Sequence, residues 1–402
     1  MISVSEALTR ILAGVSPVSA ETVALSAAHH RTLAEDLVAR TTQPPVDVSA
    51  MDGWAVRIQD VTSIPVTLKV VGSIAAGQDF SGKLRPGEAM RIFTGAPIPE
   101  GADSVVIQEN TSFDDALTKV VIEKPVNRGA HIRVKGLDFH AGAYLLKKGT
   151  ILSARHIALA AAMNQPWIKV MRRPRIAILA TGDEVVMPGD PLGPTQIVSS
   201  NSHGLAALVT EAGGEPIMLG IAPDRSEPLQ AMALAAKKAD VLVTTGGASV
   251  GDHDLVRSAL ESAGLRLDFW KIAMRPGKPL MFGELTGTPF LGLPGNPVST
   301  FVCAVLFLQP MVRRMLGHKT IEPQRMMAIL GDDLAANDQR EDYLRAALTL
   351  DEGTWIVRPF PVQDSAMMTP VVMADCLLVR PPHAPMAKAG SPVAVIPLRP
   401  LF

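Results

Sequence analysis

Apolar positions recur at helical spacing from the start of the chain, with Ala7, Leu8, Ile11, Leu12 and Val15 sharing one face. Ser3 and Glu6 have the spacing of a capping box, and Gly14 and Pro17 end the helix. A second helix is expected over about Ser26–Ala34, and the prolines within Thr41–Asp47 mark a linker. From Val46 to about Arg133 the period changes. Short β-like runs at Val66–Val71, Ala89–Phe93, Ser104–Gln108 and Lys119–Ile122, separated by glycine and proline, predict a small inserted β domain. Gly136–Gly149 and the apolar helix Ala154–Met163 return to the first domain, and Met171–Arg175 is a boundary.

Between Arg175 and about Gly317 strands and helices alternate. Strands are expected at Ile176–Ala180, Glu215–Ile221 and Val241–Thr244. Helices are expected at Ser202–Ala212, Pro228–Lys238, Asp254–Ala263 and Val298–Met315. This predicts a doubly wound, mostly parallel α/β domain, whose ligands belong at the carboxyl ends of the strands. After a linker at His318–Pro323, runs at Met326–Leu330, Trp355–Arg358 and Val393–Pro397 predict a second, barrel-like β module. The domains expected are 1–46 with 134–172, 47–133, 173–318 and 319–402.

Composition narrows the function. A chain of 402 residues is long enough for two to four domains. Lys+Arg at 38 against Asp+Glu at 39 leaves no basic field for a nucleic-acid backbone. Cys303 and Cys376 lie in apolar runs and read as small buried hydrophobes. The nine histidines show no ligand spacing, His29-His30 reads as helix surface, and a zinc or iron centre is not expected. The first residues do not read as a signal peptide, and apolar runs such as Val302–Leu308 are too short to span a bilayer. A cytoplasmic enzyme of small molecules is the expectation.

The candidate chemistry gathers at strand ends. Thr181-Gly182-Asp183-Glu184 and Pro223-Asp224 each follow an apolar run, and Asp252-His253-Asp254 follows the glycine-rich loop after a third. Three acidic strand ends suit a hard cation at a sheet edge, although such residues also cap the segments that follow. Thr244-Thr245-Gly246-Gly247-Ala248-Ser249 is a glycine-rich strand exit, a tight turn or an anion cradle, and matches neither a Walker loop nor a dinucleotide fingerprint. In Arg275-Pro276-Gly277-Lys278 the turn either presents both cations to one oxyanion or leaves two surface charges. Asp52 and Thr94 stand in turns that read equally well as structural corners.

Six segments taken in order resemble the molybdopterin molybdenumtransferase family, the MoeA-type proteins and the gephyrin E domain. They are Met51–Ala55, Arg91–Asp103, Thr181–Glu184, Thr244–Asp254, Phe269–Pro279 and Gly292–Ser299. The resemblance spans essentially the whole chain. It implies a four-domain homodimer whose third domain looks like the adenylyltransferase one step earlier in the pathway. It implies a cleft shared between subunits, with Asp52 and Thr94 on one side and Glu184, Asp224, Ser249, Asp254, Lys271, Arg275 and Lys278 on the other. Asp52, Thr94, Glu184, Asp224, Asp254 and Lys271 would be catalytic, and Glu184, Asp224 and Asp254 would hold Mg2+. Gly246, Gly247, Ser249, Arg275, Lys278, Pro294, Asn296, Pro297, Arg345 and Ser365 would bind substrate.

The implied reaction takes adenylyl-molybdopterin and molybdate to molybdenum cofactor and AMP. Transient contact with the molybdopterin adenylyltransferase and with acceptor molybdoenzymes is implied as well. A molybdopterin adenylyltransferase and a gephyrin-like scaffold without turnover are the alternatives. The flanking β modules argue against the first, and the intact charged strand ends against the second. Two departures stand out. Arg275 replaces the family's usual lysine, and the family's Gly-Glu-Asp appears as Gly136-Leu137-Asp138, which weakens Asp138 as a functional candidate.

Overall fold

The computed structural model describes all residues except 79–81, 247–254 and 399–402. Two compact units emerge. One comprises Met1–Glu21, His30–Ala34 and Val170–Phe402; the other comprises Thr22–His29 and Glu35–Lys169.

In the second unit a six-stranded sheet runs in the order Ser104–Ile107, Gly53–Val56, Glu88–Ile92, Val66–Ile74, Lys119–Ile122, Thr111–Phe113. Only Val66–Ile74 and Glu88–Ile92 pair in parallel; the other neighbours are antiparallel. Alternate residues feed two cores, Trp54, Val56 and Val106 on one side and Ala55, Met90 and Val105 on the other. Gly53–Val56 is therefore buried on both faces and shows no polar alternation. At Gly53 a Cβ would lie 2.0 Å from the Val106 carbonyl oxygen, so only glycine fits this strand crossing. The expected helix Ala154–Met163 is present as Ala154–Ala162.

The expected helix over Ser26–Ala34 does not form. Leu25–Ala27 makes a single 3-10 turn, and His30 takes a left-handed φ of 61° that ends any helical path and removes the helix-surface reading of His29-His30. Leu33 instead bridges Val170, and the Thr32 hydroxyl meets His318 Nε2 at 2.9 Å. Tertiary pairing overrides a good local helix composition here.

In the first unit the α/β sheet has the order Glu215–Ala222, Arg175–Thr181, Val241–Thr245, Thr288–Leu293, Met281–Leu285, Leu265–Phe269. The first four strands are parallel and the last two antiparallel, as expected of a mostly parallel sheet. Ile176, Ile178, Val241, Val243 and Leu291 pack with residues of the helices Val4–Ala13, Asn201–Glu211 and Pro297–Cys303. Ala177, Leu179, Leu242 and Phe290 pack on the opposite side with Leu229, Val256 and Leu260. The domain is doubly wound.

The first helix starts at Ser3, whose hydroxyl accepts the Glu6 N–H at 3.1 Å, while the Glu6 carboxylate turns to Arg10 rather than closing the box. The long apolar helix spans Pro297–Met315 and passes through a π-turn at Ala304–Leu308, next to Pro310, which has no N–H for the regular ladder. It is long and apolar enough to cross a membrane by composition, yet 78% of its most apolar stretch is buried within the fold, as in a core helix. Both cysteines are buried; burial raises the thiol pKa of each, that of Cys376 to about 12.

The carboxyl-terminal region closes into a five-stranded barrel. Glu341–Asp351, Thr354–Pro359, Met326–Leu330, Pro392–Pro397 and Cys376–Arg380 pair in that order, and Cys376–Arg380 pairs back with Glu341–Asp351. Met274–Arg275 joins this sheet as a short parallel strand against Glu341 and Asp342.

Candidate active site

In the β-rich unit two motifs distant in sequence come together. Trp54 stands opposite Arg91 in adjacent strands, and Gly95 donates its N–H to the Ser49 carbonyl at 2.9 Å. Asp52 Oδ1 accepts from both the backbone N–H and the hydroxyl of Thr94, at 2.7 and 2.8 Å. These bonds, with a lesser contribution from Arg91, hold the Asp52 carboxyl below its ordinary range, so this exposed group stays ionised. Arg91 lies over the rings of Trp54, Phe93 and Phe113 and donates to Gln108 Oε1 at 2.7 Å. Asp138 is exposed in a turn, where its N–H donates to the Gln43 carbonyl at 3.0 Å.

In the α/β unit the carboxyl ends of four parallel strands are in register: Thr181 beside Ala222, Ala180 beside Thr245, and Thr245 beside Leu293. Close approach of the turns explains their glycines. Gly246 has φ of 99°, and a Cβ there would lie 2.4 Å from the Thr181 carbonyl oxygen; Gly295 packs on the Gly246 Cα. Asp183 Oδ1 accepts the Asp224 N–H at 3.0 Å, which joins two of the three acidic turns. Partial desolvation, with the like charges of Asp183 and Glu184, raises the Asp224 pKa. Asp254 falls in 247–254, outside the described residues, as do Gly247 and Ser249. Among the described residues no three metal-ligating side chains gather around one point.

Behind this edge lies a polar network that sequence reasoning missed. Asn201 Nδ2 reaches Thr245 Oγ1, the Gly295 carbonyl and Thr300 Oγ1 at 3.0, 2.7 and 3.2 Å. The Thr245 and Thr300 hydroxyls both donate to the Pro294 carbonyl. Asn201 opens its helix, the only local signal it carried. Together these bonds hold the Pro294-Gly295-Asn296-Pro297 loop against the glycine turn, and Pro297 begins the long helix.

The barrel meets the same loop. Asn296 Nδ2 donates to Ser365 Oγ at 2.9 Å, and the Val298 N–H donates to the Ser365 carbonyl at 3.1 Å. Arg345 is 1% exposed and donates from Nη2 to the neighbouring Asp364 carbonyl at 3.2 Å, while its Nε is buried without a partner. Desolvation lowers its pKa. Lys271 lies 3.5 Å from the centre of the Trp270 ring, a cation–π contact.

The Arg275–Lys278 turn departs from expectation. Arg275 is engaged by polar and acidic side chains of the barrel. Its guanidinium is drawn to Asp342, with Asn337 at 3.3 Å and Asp338 at 3.5 Å, because the short strand Met274–Arg275 pairs with the barrel. Lys278 makes no ion pair among the described residues, and its carbonyl closes the turn by accepting the Ile272 N–H at 3.0 Å.

With this geometry in view, the relatives are informative. Residues 2–164 match the MoeA N-terminal region (domain I and II), 177–314 a probable molybdopterin binding domain, and 327–398 the MoeA C-terminal region (domain IV). A molybdopterin molybdenumtransferase of Nostoc sp. is 39% identical over 94% of this chain and 88% of its own. The chain belongs to the MoeA family. Its similarity to the Haemophilus influenzae molybdopterin molybdenumtransferase is 34% identity over the whole of both chains. A crystal structure of a molybdopterin biosynthesis MoeA protein from Pyrococcus horikoshii superposes with a TM-score of 0.86 at 32% identity, covering both chains fully. The multidomain α/β and β-barrel architecture expected from sequence is thus the MoeA architecture.

Proposed function

We propose that this chain inserts molybdate into adenylyl-molybdopterin, releasing AMP and giving the molybdenum cofactor. The observation that carries this reading is the joining of two poles by one loop set. An acidic pole (Asp183, Glu184, Asp224) stands at the strand ends, and a buried, under-satisfied Arg345 lies behind the Ser365–Asn296 contact. The full-length likeness to relatives named for this reaction supports the same conclusion.

In this reading Arg345, Ser365 and Lys278 hold molybdate, a doubly charged oxyanion, and the Gly246 turn leaves room for the phosphate linkage. Water attacks the adenylate phosphorus, the phosphoanhydride bond to the molybdopterin phosphate breaks, and AMP departs with the water oxygen; a molybdate oxygen attacking there would give an adenylyl-molybdate that water then splits to AMP. No protein nucleophile is needed; the side chains position and neutralise. The carboxylates of Glu184 and Asp224, with Asp254, are hard oxygen donors of the kind magnesium takes; desolvation first and like-charge crowding second raise the Asp224 pKa, and the crowding is what a divalent cation relieves. When bound, the ion supplies charge neutralisation at the cleaving linkage.

The deciding assay is release of AMP from adenylyl-molybdopterin, which must depend on molybdate. Pyrophosphate release from ATP and molybdopterin would instead make the chain an adenylyltransferase. Two expectations accompany it. In calorimetric titration without substrate, Mg2+ affinity falls on Asp224→Asn, and in the unchanged protein it weakens with acidification sooner than an ordinary aspartate would dictate, because protonation sets in at a higher pH. Equal affinity in both proteins would remove Asp224 from the metal site. As a cytoplasmic homodimer of the family's kind, the protein sediments as a dimer, and an active monomer would remove the shared-cleft reading.

A further inference from the structure

Arg275 is enclosed on its guanidinium side by acidic and amide side chains of the barrel. Asp342 is 4% exposed and pairs with Arg275 Nη2, while its other carboxylate oxygen is buried without a partner. Asp338 accepts from Arg275 Nη1 at 3.5 Å and from Arg340 Nη2 at 2.9 Å. Asn337, the third acceptor, is itself anchored by donating to the carbonyls of Arg340, Arg380 and Pro381 at 2.7, 3.1 and 2.9 Å. Two guanidinium groups face two carboxylates here, so the cluster is neutral and offers nothing to a dianion.

The backbone carries the same message. Glu341 donates its N–H to the Ala273 carbonyl at 3.0 Å, beside the parallel pairing of Arg275 with Asp342. Two residues on, Gly277 has φ of 108° and lies so close to Cys303 of the long helix that a Cβ would meet its sulfur at 2.5 Å. The 272–280 loop is therefore held at one end by the barrel and at its turn by the helix, with Lys278 immediately after the turn and without an ion pair among the described residues.

We infer that Arg275 is a positioning residue and not an anion ligand: its guanidinium clips the loop to Asp342 and Asp338 of the barrel and so fixes where Lys278 stands. The activity arm of the test rests on the molybdate-insertion reading; the stability arm does not. The informative variant is Asp342→Asn, which releases Arg275 but leaves its charge in place. A clip predicts that the molybdate concentration for half-maximal turnover rises about tenfold with turnover at saturation little changed. A direct anion ligand predicts that freeing Arg275 leaves that concentration unchanged or lowers it.

Arg275→Gln is expected to behave like Asp342→Asn. The double variant, Arg275→Gln with Asp342→Asn, puts a neutral pair of side-chain amides where the ion pair stood. It should recover most of the melting temperature and of the molybdate response although the cation is gone. Recovery of stability without recovery of the molybdate response would make Arg275 a ligand and overturn the inference. Additive losses in melting temperature, with no coupling between the two positions, would show that there is no clip. Lys278→Ala serves as reference. If it leaves the molybdate response untouched, the assignment of the reaction site is wrong, and the coupling measured by thermal unfolding still decides the clip.

Discussion

Lys278→Ala is expected to raise the molybdate concentration needed for half-maximal turnover by about ten- to a hundredfold. A charge-assisted hydrogen bond contributes about 1.5–3 kcal/mol, or about one to two decades in affinity. Within the Arg275–Lys278 turn the two cations differ in one decisive respect. Arg275 is neutralised by Asp338 and Asp342, whereas Lys278 has no ion-pair partner among the described residues, so it retains a charge to give to an oxyanion. Affinity for adenylyl-molybdopterin should change much less, because in the proposed reading the acidic pole and the Gly246 turn hold the nucleotide end. Titration of both substrates separates the outcomes. Weakened nucleotide binding with an unaltered molybdate response would place Lys278 at the phosphate.

The contrast between these two cations also marks the limit of what the sequence discloses. Strands with one solvated flank, such as Lys119–Ile122, are legible to the residue because the polar and apolar pattern stops where the strand does. Gly53–Val56 is not, since burial on both faces removes the alternation. The hairpin of Met281–Leu285 and Thr288–Leu293 is hidden by its glycines, yet Gly283 is there because a Cβ would lie 2.2 Å from the Arg266 carbonyl oxygen. The acidic turns and glycine turns are visible as motifs, because each is a contiguous run at a strand end. What surrounds them is not. Asn201, Thr245 and Thr300 are single polar residues from three elements that meet only in the folded sheet. Asp342 stands 67 residues from Arg275, and nothing local announces it as the arginine's partner.

Arg345→Met is expected to separate function from stability. The guanidinium has one backbone acceptor at Nη2 and an unpartnered Nε, at 1% exposure, and burial lowers its pKa; the folded protein tolerates this group rather than gaining from it. Replacing buried charged groups by apolar side chains of similar volume is often neutral or stabilising by about 1–4 kcal/mol. Methionine keeps the length of the stem and discards the charge, so the melting temperature should hold or rise. In the proposed reading, however, molybdate loses the buried charge that Ser365 and the Asn296 loop stand beside, and its half-saturating concentration should rise by at least about tenfold. A second readout needs no turnover. Ligand at a hundredfold its dissociation constant stabilises a folded protein by about 2.7 kcal/mol, so molybdate should raise the melting temperature of the unchanged protein and fail to do so in the variant at the same concentration. A fall of several degrees in Arg345→Met with an intact molybdate response would make Arg345 a pillar of the barrel. A variant at least as stable as its parent, but indifferent to molybdate, would show that the fold carries an unsatisfied buried cation because the anion it awaits is the substrate.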